Sequence, residues 1–367
     1  MEQKIRSPFF VLIVLALLVS ACASGQTQTQ GPASKSVPSE SSDAGETLTL
    51  LEWAGYDDPT YREPFTAQHP DVTVDYSFFA EDAEAYSKLQ SGFEVDLIHP
   101  CTAWLRQYVD GGLIQPIDTA RLTHLSDYDP ALLKAGQVDG IQYLVPWDWG
   151  PEFLITRTDQ VEKKPAAWID LWDPAFKGKV SVFDAGETMW LITALALGFD
   201  PYNTTPEQQA QIKQKMIDLK PNLLNYWTDA TELANLVAGG DVALATSWAE
   251  TYLTLKEDGI PVEYITPKEG SLGFLCGYII STSAKNLDLV YDYINAVGEP
   301  QSMANMSNTL GYGPANRKAI PLLDPTYVQE LKLDDPNTLA NTFFYQPLTA
   351  EQRQLFTETW SEVKAAP

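Results

Sequence analysis

Between residues 48 and 100 two periodicities take turns. "LTLLEWAGY" (48–56) is an apolar run that opens into a loop, and "YREPFTAQHP" (61–70) has helical spacing that stops at Pro70. "DVTVDYSFF" (71–79) alternates with a period of two. "DAEAYSKLQSG" (82–92) is helical again and closes at Gly92, and "EVDLIHP" (94–100) is a strand ending at Pro100. Strand, helix, strand, helix, strand specifies an α/β fold with a mainly parallel sheet, because each helix carries the chain back to begin the next strand in the same direction. In such sheets a ligand sits outside the carboxyl ends of the strands. Here those ends are the loops "EWAGY" (52–56) and "HPCTAW" (99–104).

The alternation pauses at "QYLVPWDWGPEFLITR" (142–157), an extended stretch long enough to pass from one lobe to another. Trp147 and Trp149 alternate there with Asp148, so one of the two sides is expected to be a surface. "KGKVSVF" (177–183) then predicts a strand, followed by a helix from Gly186 through Leu197. Further helices are predicted over 205–221, 231–240, 249–259 and 286–298, and strands over 241–248 and 272–281. Trp168 and Trp172, in "AWIDLWDP", read as a helical pair packed on the body. A chain of 367 residues suffices for about two domains.

The first residues address the chain to a compartment. Lys4 and Arg6 precede an apolar run from Pro8 to Val19, too short for a comfortable membrane span and built like a signal peptide. Its end, Val19-Ser20-Ala21-Cys22, resembles the bacterial lipoprotein signal, in which the Cys becomes the lipid-modified N-terminus; the alternative is a plain signal peptide with an incidental Cys. Residues 22–46 are Gly, Ser, Thr, Gln and Pro with almost no large apolar side chain, which reads as a flexible tether. The expectation is an exported protein, anchored to the bacterial membrane through Cys22 after loss of residues 1–21.

Charge and motifs remove several function classes. There are 24 Lys+Arg against 49 Asp+Glu, which argues against nucleic acid or anionic lipid as the main partner and suits a protein that attracts cations. His69, His99 and His124 lie far apart, and the sequence has no HExxH, paired CxxC or acidic calcium loop, so no metal site is expected. No Walker loop, GxGxxG or GxSxG occurs, and no cofactor is expected. The body retains Cys101 and Cys276. An exported compartment permits a disulfide, but their spacing is silent about proximity, and two unpaired buried thiols are the expectation.

"VSVFDAGETMW" (180–190) places Asp184 and Glu187 three residues apart at the start of a helix. Two readings stand. The pair forms a capping box, or the ionised oxygens bind an alkylammonium group by charge-assisted hydrogen bonds. A glycosidase pair is a third idea, but neighbours on one helix face would not flank a sugar bond from opposite sides. The 10 Trp and 17 Tyr exceed ordinary core needs. Trp53 and Trp248 fall at predicted strand ends, where a ring can cover methylenes and attract an ammonium. Glu250 reads as a first-turn helix acid with a ligand role as the alternative, and Glu152 in the crossover raises the same alternative.

From Leu48 to about Ala365 the chain resembles the periplasmic spermidine/putrescine-binding proteins that serve ABC importers. The resemblance rests on "EWAGYDDP", "DLIHPCTAWLRQYVDGGLIQPID", "VPWDWGPEFLI", "WIDLWDPAFKGKVSVFDAGE", "VEYITPKEG" and "LGYGPANRKA", in that order and spacing. It implies a two-lobed α/β periplasmic-binding-protein fold with a hinge and an interlobe ligand cleft. Residues 47–149 with 277–322 would form lobe 1, and 150–276 with 323–367 lobe 2. It implies no enzyme but a monomeric solute-binding protein that hands a polyamine-like cation to an ABC permease. The family's aromatic box falls on Trp53, Tyr56, Trp248, Phe274 and Tyr312, its amine-binding acids on Asp184 and Glu187, and a polar contact on Gln346. Ala54 replaces a hydroxyl, Cys101 a serine and Ala103 a tyrosine, while Cys276 stands where the family holds an acid against a ligand amine. Cys101 and Cys276 are therefore expected to line the cleft. The missing acid tilts the expected ligand toward a short diamine such as putrescine, or one with a neutral second end.

Overall fold

The computed structural model describes residues 46–367. The leader, Cys22 and nearly all of the tether lie outside them. The first strands are β1 (Thr47–Trp53), β2 (Thr73–Phe79) and β3 (Leu97–Ile98), with β1 parallel to both neighbours. They are joined by α1 (Glu63–Gln68) and α2 (Asp82–Gln90), the α/β alternation read in the sequence.

Two long strands then run antiparallel through the middle of the sheet: β4 (Val145–Arg157) and, much later in the chain, the strand Ser271–Ser281. Between them lie β5 (Val180–Phe183), α3 (Gly186–Leu197), α4 (Pro206–Leu219), β6 (Leu223–Trp227), α5 (Ala230–Gly239), β7 (Leu244–Ser247) and α6 (Ala249–Glu257). Numbering Ser271–Ser281 as β8, the sheet order is β2-β1-β3-β8-β4-β7-β5-β6. One end of β8 pairs with β3 through Ile279 and Ile280, while one end of β4 pairs with β7 from Phe153 to Thr156. The two strands thus tie a parallel half-sheet at one side to a second parallel half-sheet at the other.

Local signals set the boundaries. Thr205 and Gln208 form a reciprocal capping box for α4, with Pro206 at its first position, and Asp229 caps α5. Gly240 ends α5 with φ +82, a conformation that costs a side-chain-bearing residue more than glycine. α7 (Leu287–Val297) packs on α1 beside the first half-sheet, and α8 (Ala350–Ala365) packs on α3 beside the second, where Trp190 stacks on Phe356 at 4.7 Å. Trp168 is fully buried in a 3-10 turn, Trp168–Trp172, and donates to the Gly270 carbonyl at 2.9 Å.

The expectation of a surface beside Trp147 and Trp149 is corrected. All thirteen residues of β4 are buried. A strand in the centre of a sheet has layers on both faces, so alternation of Trp with Asp does not mark a solvent side here. Trp147 and Trp149 donate to the carbonyls of Val297 and Pro314, at 2.9 and 3.2 Å. Asp148, on the opposite face, is fully buried against His99 and Tyr56.

Candidate functional site

The carboxyl ends of β1, β5 and β7 meet β4 and β8 around a cleft of about 680 Å³, within the usual range for small-molecule sites. The five aromatic side chains singled out in the sequence all line it. Trp53, the last residue of β1, packs on Phe79 with ring centroids 4.3 Å apart. Trp248 sits at the N-cap of α6 and meets Phe183 and Trp227 nearly edge-on, at 4.7 and 4.9 Å. Phe274 meets Tyr312 edge-on at 5.2 Å. Tyr56 donates its hydroxyl to Asp148 Oδ2 at 2.9 Å. The indole N–H of Trp53 is buried with no hydrogen-bond partner, a donor left over by the protein, while the Trp248 indole lies near the Glu152 carboxylate.

The acids sort differently from the sequence expectation. Glu187, in the first turn of α3, lines the cleft, and its Oε1 is buried without a partner. Burial, with the charges of Glu152 and Asp82 adding to it and Arg353 opposing, pushes its carboxyl up to about 8. Asp184 does not line the cleft. Its Oδ1 accepts from Trp360 Nε1 at 2.8 Å and from Lys364 Nζ at 2.9 Å, both on α8. It does not cap α3 either, since the N-cap is Ala185 and no side-chain cap bond forms. The pair is three apart in sequence, but Asp184 precedes the helix, so the rule that such neighbours share a helix face does not apply. Gln346 also lies outside the lining, with its backbone N–H on the Tyr202 hydroxyl at 3.0 Å. Glu250 is exposed in the first turn of α6.

Three further carboxylates stand on its wall, of which the sequence reading raised only Glu152, as an alternative. Glu152 of β4 accepts the Tyr345 hydroxyl at 2.8 Å, and that hydroxyl pairs in turn with Thr188 at 2.7 Å. Asp82, at the start of α2, accepts the Cys101 N–H at 3.0 Å. Burial raises both carboxyls to about 7. Asp148 is the third. A signal existed for each: Asp82 lies in the loop after β2, a strand end left out of the list of candidate loops, and Asp148 and Glu152 share one face of an alternating strand. With Glu81 and Glu187 the lining holds five carboxylates and no Lys, Arg or His. Arg353 sits behind the wall with its guanidinium 3.9 Å above the Trp104 ring and a bond to the Ala103 carbonyl.

Behind Asp148 runs a buried charge chain. His99 donates from Nδ1 to Glu52 Oε1 at 2.6 Å and from Nε2 to Asp148 Oδ1 at 2.9 Å, and Tyr278 donates to Glu52 Oε2 at 3.1 Å. Burial alone would lower the imidazole, but the Glu52 charge and hydrogen bonds to both acids push it up to about 10. Both ring nitrogens face carboxylates, which favours the imidazolium form, while burial also raises the Glu52 carboxyl.

Cys101 and Cys276 line the cleft and form a disulfide, which corrects the expectation of two free thiols. The loop after β3 adds one antiparallel bridge to β8 at these two residues, and Gly277 donates to the Pro100 carbonyl at 3.2 Å. That contact joins residues 175 apart in sequence, which spacing alone cannot disclose.

With this geometry in hand, comparison with known proteins is direct. The sequence profile of the bacterial extracellular solute-binding proteins matches residues 60–333. The spermidine/putrescine-binding periplasmic protein of Escherichia coli is 27% identical over 327 residues, 88% of this chain and 93% of that one. The putrescine-binding periplasmic protein PotF of the same species is 26% identical over 341 residues, covering 87% of this chain and 91% of the relative. Among solved structures, the spermidine/putrescine ABC transporter substrate-binding protein PotD of Streptococcus pneumoniae superposes with a TM-score of 0.76 at 22% identity, covering 87% of this chain and 99% of that one. The TpPotD lipoprotein of Treponema pallidum gives 0.75 at 21%, with the same coverage. The chain shares the two-lobed α/β fold of these binding proteins. The chain belongs to the family of bacterial extracellular solute-binding proteins, which bind solutes and are not enzymes.

Proposed function

We propose that this protein captures a linear polyamine in the interlobe cleft and delivers it to the permease of an ABC importer. The observation that carries the reading is the cleft lining: five carboxylates, five aromatic rings from the expected box, and no basic side chain. A polyamine is a set of ammonium groups joined by methylenes. Rings cover the methylenes and attract the ammoniums, each such contact contributing about 0.5–2 kcal/mol, and carboxylates accept charge-assisted hydrogen bonds. Relatives named for spermidine, putrescine, cadaverine and agmatine support the same reading.

In this proposal Trp53, Tyr56, Trp248, Phe274 and Tyr312 hold the ligand chain, Glu187 shares an ammonium group with Glu152, whose charge it feels, and the Cys101–Cys276 disulfide forms part of the wall. Asp184 and Gln346 have no direct role. Lobe 1 (47–149 with 277–322) and lobe 2 (150–276 with 323–367) close on the ligand as rigid bodies about β4 and β8, and the closed form is what the permease recognises. The protein works as a monomer, held to the membrane by lipid on Cys22.

Isothermal titration of the mature protein with putrescine, spermidine and 1,4-butanediol tests the reading. Binding of an amine without the diol is the expected result. Equal binding of the diol, or no heat from either amine, overturns it.

A further inference from the structure

The cleft face of β4 carries an acid, a glycine and an acid at alternate positions: Asp148, Gly150 and Glu152. In the register with β8 these stand opposite Cys276, Phe274 and Leu272, and pairing is regular across the three, with the only irregularity beyond Cys276. Asp148, Glu152, Phe274 and Cys276 all line the cleft. The acid that the family resemblance places at 276 is absent, and a carboxylate appears directly across the strand pair from it.

Gly150 has a specific consequence. A Cβ there would meet the Phe274 ring at 2.5 Å, so the absence of a side chain lets the ring lie against the strand midway between the two acids. Neither acid is saturated. Asp148 receives one hydrogen bond on each oxygen, from His99 and Tyr56, and a carboxylate has about four acceptor positions. Glu152 receives the Tyr345 hydroxyl on Oε1, and the Trp248 indole lies near enough to favour the ionised form, which still leaves acceptor positions open.

We propose that β4 acts as a ruler for the ligand, with Asp148 and Glu152 receiving the two ends of a linear diammonium chain and Phe274 covering the methylenes between them. This rests on the polyamine reading and assigns its ligand length. Four residues at about 3.3 Å each separate the two Cα atoms by roughly 13 Å. Side chains stand roughly perpendicular to a strand. Subtracting about 2.8 Å for a charge-assisted hydrogen bond at each end leaves roughly 7.5 Å between the ammonium groups. That is the span of a short α,ω-diamine with four or five methylenes, and well short of a long triamine.

The test is calorimetry of wild type, Asp148→Asn and Glu152→Gln with α,ω-diamines of three to seven carbons and with butylamine. Wild type should show an optimum at four or five carbons and prefer that diamine over butylamine at least tenfold. Each variant should lose tenfold or more for the best diamine. In Asp148→Asn the diamine-to-butylamine ratio should collapse and the length optimum flatten, which a loss of general packing would not produce. Should Asp148→Asn fail to fold, Glu152→Gln decides, since it keeps the side-chain shape and the acceptor for Tyr345. Retention of the wild-type optimum and preference in the variants overturns the ruler alone. A wild type that binds no diamine overturns the polyamine reading and the ruler together.

Discussion

The indole N–H of Trp360 donates to Asp184 Oδ1 at 2.8 Å, and this bond fastens the acid at the end of β5 to helix α8 rather than to the cleft. Glu187, three residues on, has the opposite situation: its Oε1 is buried and unpartnered. The two residues should therefore separate on mutation. Asp184→Asn should change amine affinity less than threefold and lower stability by about 0.5–1 kcal/mol, the usual size for a half-exposed ion pair. Glu187→Gln should weaken amine binding by about ten- to hundredfold, the equivalent of a lost hydrogen bond to a charged group at about 1.5–3 kcal/mol. Calorimetry and urea unfolding of both variants check this. A large affinity loss in Asp184→Asn would show that the acid reaches the ligand after the lobes close.

Binding should release protons. Burial raises the Asp82 and Glu152 carboxyls to about 7 and that of Glu187 to about 8. An ammonium beside them favours the ionised form and lowers these values in the complex. Affinity should then rise as pH climbs from 5.5 through 8 and level off, until the amine itself deprotonates near about 10. For the ligand-free protein the sign is reversed. The folded values lie above the unfolded 3.8–4.5, so these groups favour folding below that range and lose that contribution as pH rises through 7–8. Titrations in buffers of different ionisation heat, at pH 6 and 8, measure the released protons directly. A pH-independent affinity with no proton release would contradict the acid cluster.

The disulfide should be found in the exported protein by peptide mapping without reductant, as one cross-linked species containing Cys101 and Cys276. It closes a loop of well over a hundred residues, so its removal by Cys101→Ala with Cys276→Ala should cost about 2–5 kcal/mol in unfolding experiments. Separate, alkylatable peptides from unreduced protein would count against it.

Cys22→Ser should abolish labelling by a radioactive fatty acid and move the protein from the membrane to the soluble fraction. The expectation follows from Val19-Ser20-Ala21-Cys22 and the polar tether behind it. Continued labelling of the Ser variant would exclude Cys22 as the anchor.

What could be read beforehand was local. The predicted helix from Gly186 through Leu197 has those ends in the structure, because a strand, a helix-start acid and a left-handed glycine are all signals within a few residues of each other. The aromatic box could be named because the resemblance aligned it, and each ring does reach the cleft lining. Directions of side chains at turns were not legible. A place two residues before the helix start sends Asp184 to α8, while Glu187 in the first turn faces the cleft. Non-local pairs were also hidden: His99 lies 47 residues from Glu52 and 49 from Asp148, and neither separation carries a pattern. His99 looked isolated because its partners come from β1 and β4, strands that only the folded sheet sets side by side.

That buried chain leads to the last prediction. Glu52, His99 and Asp148 are each completely buried. Two carboxylates in such a place are tolerable because the imidazolium between them bonds to both. His99→Gln removes the positive charge and leaves two acids facing one another. Breaking a buried charge pair typically costs about 3–5 kcal/mol, and the variant should lose that much at pH 7.5. At pH 5 a carboxyl can take up the missing proton, so the loss should shrink. Wild type has its own signature. The folded imidazole titrates near 10 against 6.5 unfolded, so His99 contributes fully below pH 6.5 and the contribution fades as pH rises toward 10. Urea unfolding of both proteins from pH 5 to 9.5 separates the two curves. An equal deficit in His99→Gln at every pH would mean that the ring acts by packing alone, and that Asp148 reaches the cleft without an imidazolium behind it.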